Sequence, residues 1–148
     1  MKRTIFIAGF AALLMTAACA PSEQSENAAA KQIVGRMFEA FNRHDAIALA
    51  ALYSEDAVVI TPESCEPTIG RESIAQSYQT LFDQVPGVQD TVQDMIAENG
   101  QVAVGFVASG QIDGAAFELP IAAILTIENG LIIRDIGYFN SDQDISCD

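Results

Sequence analysis

Three turn signals in the second half of the chain constrain its fold more than any other feature. Asn99-Gly100, Asp113-Gly114 and Asn129-Gly130 are dipeptides that favour two-residue hairpin turns, because these residues tolerate a positive φ. Long segments rich in apolar and β-branched residues separate them, as expected for strands. The pattern predicts an antiparallel meander with strands over residues 88–98, 101–112, 115–128 and 131–140.

The first half of the chain is predicted to be mainly helical. Apolar residues recur there at helical spacing, Asp45 is a good N-cap, and a β-branched run stops at Pro62. The predicted elements are helices over residues 29–42, 46–53 and 72–84 and a strand over residues 57–61. Helices followed by an antiparallel sheet predict an α+β domain, with three helices packed on one face of a curved sheet.

The predicted strand over residues 115–128 has an unusual composition. Between residues 119 and 127 it is apolar at almost every position, whereas a strand with one solvated face should alternate. We therefore expect both faces to be covered, one by the helices and the other by a second copy of the chain. This hypothesis predicts a homodimer, whose outer-face contacts are placed near Ile121, Ala123, Leu125 and Ile127.

The N-terminal 20 residues have the pattern of a secretory signal, with a basic start, a short apolar run and small residues. Thr16-Ala17-Ala18-Cys19 resembles the lipobox of bacterial lipoproteins, in which the cysteine is lipidated. The alternative is plain secretion, with cleavage after Ala18 or Ala20. The lipoprotein interpretation predicts a signal peptide over residues 1–18, a polar tether over 19–30 and one domain over 31–148. It places the protein in the bacterial cell envelope, on the outer membrane and facing the periplasm.

The charge and the cysteine content of the chain limit which ligands it can bind and whether it forms a disulfide. The chain has 20 acidic and 7 basic residues, so it lacks the clustered Lys and Arg that nucleic acid binding needs. In an oxidising compartment Cys65 and Cys147 either form a disulfide or remain thiols, and the disulfide is favoured. A single His and the absence of a CxxC pair argue against a metal site, and no cofactor is indicated.

The order of elements resembles the nuclear-transport-factor-two-like superfamily, which includes SnoaL-like polyketide cyclases, scytalone dehydratase and steroid Δ5-isomerases. The residues that carry the resemblance are Phe41-Asn42, Asp45, residues 51–57, Gly70, Ile74, Leu119-Pro120-Ile121 and residues 129–132. The resemblance implies a cone-shaped fold with an apolar cavity between the sheet and the helices.

Residues 34–82 resemble the steroid isomerases without a gap, so that family's catalytic positions can be carried over. The general base falls at Thr61, the oxyanion-hole Tyr at Met37, and a protonated Asp on the long strand at Ala122. None of these side chains supplies the group that the isomerase chemistry needs. The resemblance therefore implies a retained cavity without ketosteroid isomerase chemistry.

Some polar residues remain as cavity candidates. Tyr53 and Tyr78 fall where tyrosines support the oxyanion-hole Tyr in some isomerases, and the alternative is that both are ordinary core residues. Asn140 stands where SnoaL-like members often have the Asp of a Tyr-x-Asp ending, and a turn residue is the alternative.

Charged residues give weaker candidates. One of the neighbours Arg134 and Asp135 is expected to face the cavity, because side chains alternate along a strand. Glu118 is a candidate at the cavity mouth, with an exposed carboxylate as the favoured alternative. His44 is expected to have a structural role at the end of the first helix.

Two functions follow from the sequence, with a purely structural envelope lipoprotein as a third. The first is a lipid-anchored module that binds a small apolar molecule in its cavity. The second is a SnoaL-like or isomerase-type enzyme with relocated catalytic groups, drawn from Tyr53, Tyr78, Asp135, Glu118 and Asn140. A buried carboxylate within hydrogen-bond reach of Tyr53 or Tyr78 would favour the enzyme, and a wholly apolar lining would favour binding.

Overall fold

Three helices lie against one face of a six-stranded sheet, which confirms the predicted α+β architecture. The computed structural model describes residues 22–62 and 64–140 of the 148-residue chain. The helices are α1 (Glu23–Asn42), α2 (Ala46–Ala50) and α3 (Arg71–Gln84). The strands are β1 (Tyr53–Ile60), β2 (Thr68–Ile69), β3 (Gln89–Glu98), β4 (Gln101–Ile112), β5 (Ala115–Glu128) and β6 (Leu131–Tyr138).

The sheet has the strand order β2-β1-β6-β5-β4-β3. Strands β3 to β6 form the predicted antiparallel meander. At its turns Asn99, Asp113 and Asn129 have φ between 50° and 52°, and the following glycines are also at positive φ. Strand β1 pairs in parallel with β6, and β2 pairs antiparallel with β1. Neither of these pairings was predicted, because β1 and β6 are distant in the sequence and the two residues of β2 are too few for a strand pattern.

Helix α1 begins six residues before the predicted start. Ser22 caps it by accepting the Ser25 backbone N–H at 3.3 Å, and Glu23 and Glu26 lie in its first turn, where acidic side chains stabilise a helix. The first two turns are mostly exposed, and burial begins at Ala30. The prediction of a polar tether up to residue 30 is therefore wrong over residues 23–30, because good helix formers extend α1 beyond its packed part.

The junction of α2 and β1 also differs from the prediction. Asp45 caps α2 as expected, since its Oδ1 accepts the Ala48 N–H at 2.9 Å. The helix ends at Ala50, however, and Tyr53 is the first residue of β1. Long-range hydrogen bonds explain the difference. The Leu52 carbonyl accepts the Ile132 N–H at 2.9 Å, and the Arg71 Nε donates to the Tyr53 carbonyl at 2.9 Å.

The two faces of β5 are assigned one residue away from the prediction. Ala123 and Leu125 point toward the helices and are 7% and 0% exposed. Ala122 and Ile124 are exposed on the outer face. The prediction of outer-face contacts at Ile121, Ala123, Leu125 and Ile127 is therefore wrong. A strand that is apolar throughout has no alternation to mark its faces, and a shift of one residue exchanges them.

Several predictions fall on residues outside the described ranges. These are the signal peptide, the lipidation site Cys19 and Cys147. Cys65 is disulfide-bonded, and its pairing with Cys147 stays a prediction. No helix in the described ranges is long and apolar enough to cross a membrane.

Candidate active site

A cavity of about 450 Å³ lies between the helices and the inner face of the sheet. Its volume is in the range of small-molecule sites. Most of its lining is apolar, and the polar exceptions include two carboxyl groups, Asp90 and Asp135. Its apolar walls include Phe38, Phe41, Leu49, Val85, Val88, Phe106, Phe117, Leu119, Ile121 and Phe139.

Asp135, on β6, lines the cavity, and Tyr53 binds its carboxyl group from the side away from the cavity. The Tyr53 side chain is fully buried, and its hydroxyl donates to Asp135 Oδ2 at 2.8 Å. The same hydroxyl lies 3.2 Å from Met37 Sδ on α1. The parallel pairing of β1 with β6 brings these residues together, although 82 positions separate them in the sequence. Tyr53 does not itself line the cavity, so it acts on Asp135 rather than on a bound molecule.

The environment of Asp135 favours a stronger base than an ordinary carboxylate. The side chain is 7% exposed, and burial raises its pKa from 3.8 to about 6. The hydrogen bond from Tyr53 opposes this rise, because it stabilises the ionised form. Burial, followed by the charge of Asp135, raises the pKa of Tyr53 well above 10.0 and so keeps its hydroxyl protonated as a donor.

Asp90 reaches the same cavity from β3, on the other side of the meander. It is 9% exposed, and within the described residues its buried Oδ1 has no hydrogen-bond partner. Burial raises its pKa from 3.8 to about 7. Asn42, at the end of α1, holds the backbone of Asp90: its Oδ1 accepts the Asp90 N–H at 2.7 Å, and its Nδ2 donates to the Asp90 carbonyl at 2.8 Å.

Tyr78, on α3, contributes a further hydroxyl to the cavity wall. Burial raises the pKa of Tyr78 above 10.0, the charges of Asp135 and Asp90 add to the rise, and a hydrogen bond with Tyr53 opposes it. Tyr78 therefore senses both carboxyl groups and stays a neutral donor. The cavity thus combines two carboxyls whose pKa values lie near neutrality with a phenol, a combination suited to proton transfer.

Met37 and Thr61, two positions where the isomerase groups are missing, both line the cavity. Thr61 lies at its mouth, and its Oγ1 donates to Ser64 Oγ at 3.3 Å. The prediction that the third position, Ala122, lies in the cavity is wrong. Ala122 is exposed on the outer face of β5, and its neighbours Ile121 and Ala123 line the cavity instead. The isomerase position was carried over one residue out of register, and the uniformly apolar strand has no alternation to mark its faces.

Asn140 and Glu118 are not among the residues that line the cavity. Both are exposed, and Phe139 faces the cavity in place of Asn140. Of the two neighbours on β6, Arg134 is exposed and Asp135 is buried, which settles which one faces inward.

His44 has the structural role that the sequence favoured. Its Nε2 lies 2.8 Å from the Val88 carbonyl, and its ring stacks on Phe82 with 4.7 Å between centroids. In the described ranges no three His, Cys, Asp or Glu side chains cluster as a metal site would require. The sequence interpretation missed Asp90. Alternation along the strand could have revealed it, because Asp90 lies two residues after the buried Val88 and so points to the same side of the sheet.

Solved structures share this fold at low sequence identity. A hypothetical protein from Catenulispora acidiphila with a ketosteroid isomerase-like fold, in complex with trimethylamine, is 22% identical with a TM-score of 0.70, covering 74% of this chain and 85% of that one. A proposed SnoaL-like polyketide cyclase from a Jannaschia species is 14% identical with a TM-score of 0.71, covering 82% and 92%. A proposed polyketide cyclase from Xanthomonas campestris is 25% identical with a TM-score of 0.67, covering 78% and 93%.

Sequence comparison identifies the family of the chain. No curated protein sequence matches it. Residues 34–135, which include α2, α3, Asp90 and Asp135, match the sequence profile of the SnoaL-like domain. The chain therefore belongs to the SnoaL-like domain family.

Proposed function

We propose that the protein is an acid–base enzyme that moves a proton on a small, largely apolar carbonyl compound held in the cavity. The observation that carries the proposal is Asp135, a buried carboxyl in the cavity wall whose Oδ2 accepts a 2.8 Å hydrogen bond from Tyr53. A buried carboxylate next to Tyr53 is the feature that distinguishes the enzyme hypothesis from simple binding. Asp135, on the last strand, would supply the base that the isomerases have at the position of Thr61.

Asp135 takes the role of the base. Its Oδ2 accepts the bond from Tyr53, and its Oδ1 makes no hydrogen bond in the part of the chain that the structure describes. Oδ1 is therefore free to accept a proton from a substrate carbon next to a carbonyl group. With a pKa of about 6, Asp135 is mostly ionised at pH 7 and is a stronger base than an exposed Asp.

Asp90 takes the role of the acid. With a pKa of about 7, half of its population is protonated near neutral pH. The protonated carboxyl can donate to the carbonyl oxygen while that oxygen gains negative charge, and Tyr78 is a second donor in the cavity lining. The proton leaves carbon for Asp135, and the enolate oxygen is stabilised by Asp90. Asp135 then returns the proton to another carbon of the enolate, or the enolate carbon adds to a second carbonyl carbon and the resulting alkoxide oxygen takes the proton from Asp135.

The test uses 1-indanone as a probe, because it is small, apolar and carries exchangeable protons next to its carbonyl. Deuterium incorporation from heavy water is followed by NMR with the full-length protein. We expect the wild type to accelerate the exchange and Asp135→Asn to lower the rate about 10²–10⁴-fold, as for loss of a general base. Asp94→Asn is the matched control, because this exposed residue of β3 lies outside the cavity lining. Equal exchange in the wild type and Asp135→Asn would contradict the proposal.

Binding without chemistry is the second candidate, favoured by the mainly apolar lining of the cavity. A binding module would hold 1-indanone with similar affinity in the wild type and in Asp135→Asn, and neither protein would accelerate exchange. Calorimetry beside the NMR assay separates the two functions.

We also propose that the enzyme works in the bacterial cell envelope, attached through a lipid on Cys19. The support is the N-terminal pattern of a signal sequence that ends in Thr16-Ala17-Ala18-Cys19. In a Gram-negative host the protein is expected to incorporate labelled palmitate, and Cys19→Ala is expected to lose the label. Equal labelling of the two proteins would rule out this anchor.

A further inference from the structure

An open groove of about 580 Å³ continues the cavity toward the surface. It lies between α3 and the segment that runs from the end of β1 to β2. Its lining shares Val59, Thr61, Tyr78, Leu81 and Gln84 with the cavity. A molecule bound in the cavity can therefore extend into this outer groove without a break in the surface that surrounds it.

The outer groove has a different chemistry from the cavity. On the β1 side, Thr61, Ser64 and Thr68 contribute hydroxyl groups. Among residues 22–62 and 64–140, none that lines the groove is charged. The lining thus offers hydrogen bonds to a neutral group and no cation to balance an anion.

Helix α3 supplies the other wall through a stripe of neutral polar residues. At 3.6 residues per turn the stripe occupies an arc of roughly 100° on the helix surface. The charged residues Glu72 and Asp83 lie outside this arc. The stripe consists of Ser73, Gln76, Ser77, Thr80 and Gln84.

Most of the stripe has unused hydrogen-bonding capacity. The side chains of Ser73, Ser77 and Gln84 make no hydrogen bond within residues 22–62 and 64–140. Thr80 is the exception, since its hydroxyl donates to the Gln76 carbonyl at 2.8 Å. On binding, these groups could exchange hydrogen bonds with water for hydrogen bonds with a ligand.

We infer that the outer groove binds an uncharged hydroxylated substituent of the substrate, such as a sugar, while the apolar carbonyl portion occupies the cavity. The inference rests on the proposed function for its assignment of the reacting end. A phosphate, sulfate or carboxylate substituent is disfavoured, because no Lys or Arg of the described residues lines the groove and the chain has a net charge of −13.

The test compares three probes that share one apolar ring system, 2-naphthol, 2-naphthyl β-glucoside and 2-naphthyl sulfate. Their affinities for the full-length protein are measured by calorimetry. We expect the glucoside to bind about tenfold more tightly than 2-naphthol, which corresponds to one or two net hydrogen bonds. The sulfate is expected to bind more weakly than 2-naphthol.

Variants of α3 locate the effect. Ser73→Ala combined with Ser77→Ala should remove most of the glucoside advantage and leave the affinity for 2-naphthol within about twofold, because both serines line the groove and not the cavity that holds the apolar ring. Gln79→Ala is the control, because it lies on α3 outside the groove. An equal affinity of the wild type for glucoside and 2-naphthol would overturn the inference, as would tighter binding of the sulfate. Such a result would leave the exchange test of Asp135 unaffected, so the two proposals can fail separately.

Discussion

At the scale of single residues, the site depends on two carboxyls removed from water without a compensating cation. No Lys or Arg of the described ranges lines the cavity around Asp90 and Asp135. Burial of an unpaired carboxylate is costly, and the cost appears as a raised pKa. The hydrogen bond from Tyr53 offsets part of this cost for Asp135, whereas the buried Oδ1 of Asp90 has no hydrogen-bond partner among the described residues. Natural proteins often accept lower stability of this kind at a functional site.

The replacement Asp90→Asn should therefore stabilise the protein in a pH-dependent way. Folding raises the pKa of Asp90 from 3.8 to about 7, so the folded state favours the protonated carboxyl. The stabilisation that results is fully present below pH 3.8 and is lost as the pH rises through 7. Because Asn stays neutral, we expect its gain in unfolding free energy to be about 1–3 kcal/mol larger at pH 8 than at pH 5. Urea denaturation at the two pH values measures this difference, with Asp94→Asn as the control. A gain that is the same at both pH values would contradict the buried-charge explanation.

The residues of the site could be predicted only in part. Alternation along the last strand limited the inward residue to Arg134 or Asp135, and only the packing of Asp135 against Tyr53 decided between them. Ala122 was placed in the cavity by carrying over an isomerase position, and the uniformly apolar β5 has no alternation that would reveal a shift of one residue. Asp90 was missed because its importance depends on burial, which a single acidic residue in a loosely alternating segment does not indicate.

At the scale of elements, local signals predicted the structure well where the contacts are local. The turns at Asn99, Asp113 and Asn129 fixed the ends of β3 to β6. The two-residue strand β2 is too short for a local pattern to indicate it, and the parallel pairing of β1 with β6 joins distant segments. That pairing brings Tyr53 to Asp135, so the central contact of the site could not be predicted from local pattern.

The contact between α1 and β3 suggests a test at this scale. Asn42→Ala removes two hydrogen bonds, of 2.7 and 2.8 Å, to the backbone of Asp90. We expect a loss of about 1–3 kcal/mol in unfolding free energy. Gln89→Ala is the control. It removes a solvent-exposed hydrogen bond of 3.0 Å from the Gln89 side chain to the Asn42 carbonyl and leaves the two bonds to the Asp90 backbone in place. Hydrogen exchange at the Asp90 amide should become faster in Asn42→Ala alone, and unchanged protection there would refute the role of Asn42.

At the scale of the whole molecule, the outer face of the sheet carries an apolar row that crosses five strands. Its residues are neighbours in register, and Ile96 and Ile124 are 64% and 38% exposed. The row consists of Ile60, Ile136, Ile124, Ala103 and Ile96. An exposed apolar row of this kind favours association. The homodimer stays a prediction, now placed on this row rather than on the cavity side of β5.

Ile124→Glu tests the dimer, because it puts a charge at the centre of the row. We expect the wild type to sediment as a dimer at micromolar concentration and Ile124→Glu as a folded monomer. Ile47→Glu, at a residue of α2 that is 81% exposed, should leave the dimer intact. Leu125→Glu is unsuitable for this purpose, because Leu125 is fully buried and its replacement would disrupt the core. A monomeric wild type would end the dimer hypothesis.

The proposed function requires two cavity carboxyls with raised pKa values, and a carboxyl ¹³C NMR titration measures both of these pKa values. We predict that Asp90 titrates with a pKa of about 7 and Asp135 with a pKa of about 6, far above the ordinary 3.8. In Tyr53→Phe the pKa of Asp135 should rise further, because the hydrogen bond that lowers it is lost. Titration of both carboxyls near pH 4, as expected for exposed side chains, would contradict the account.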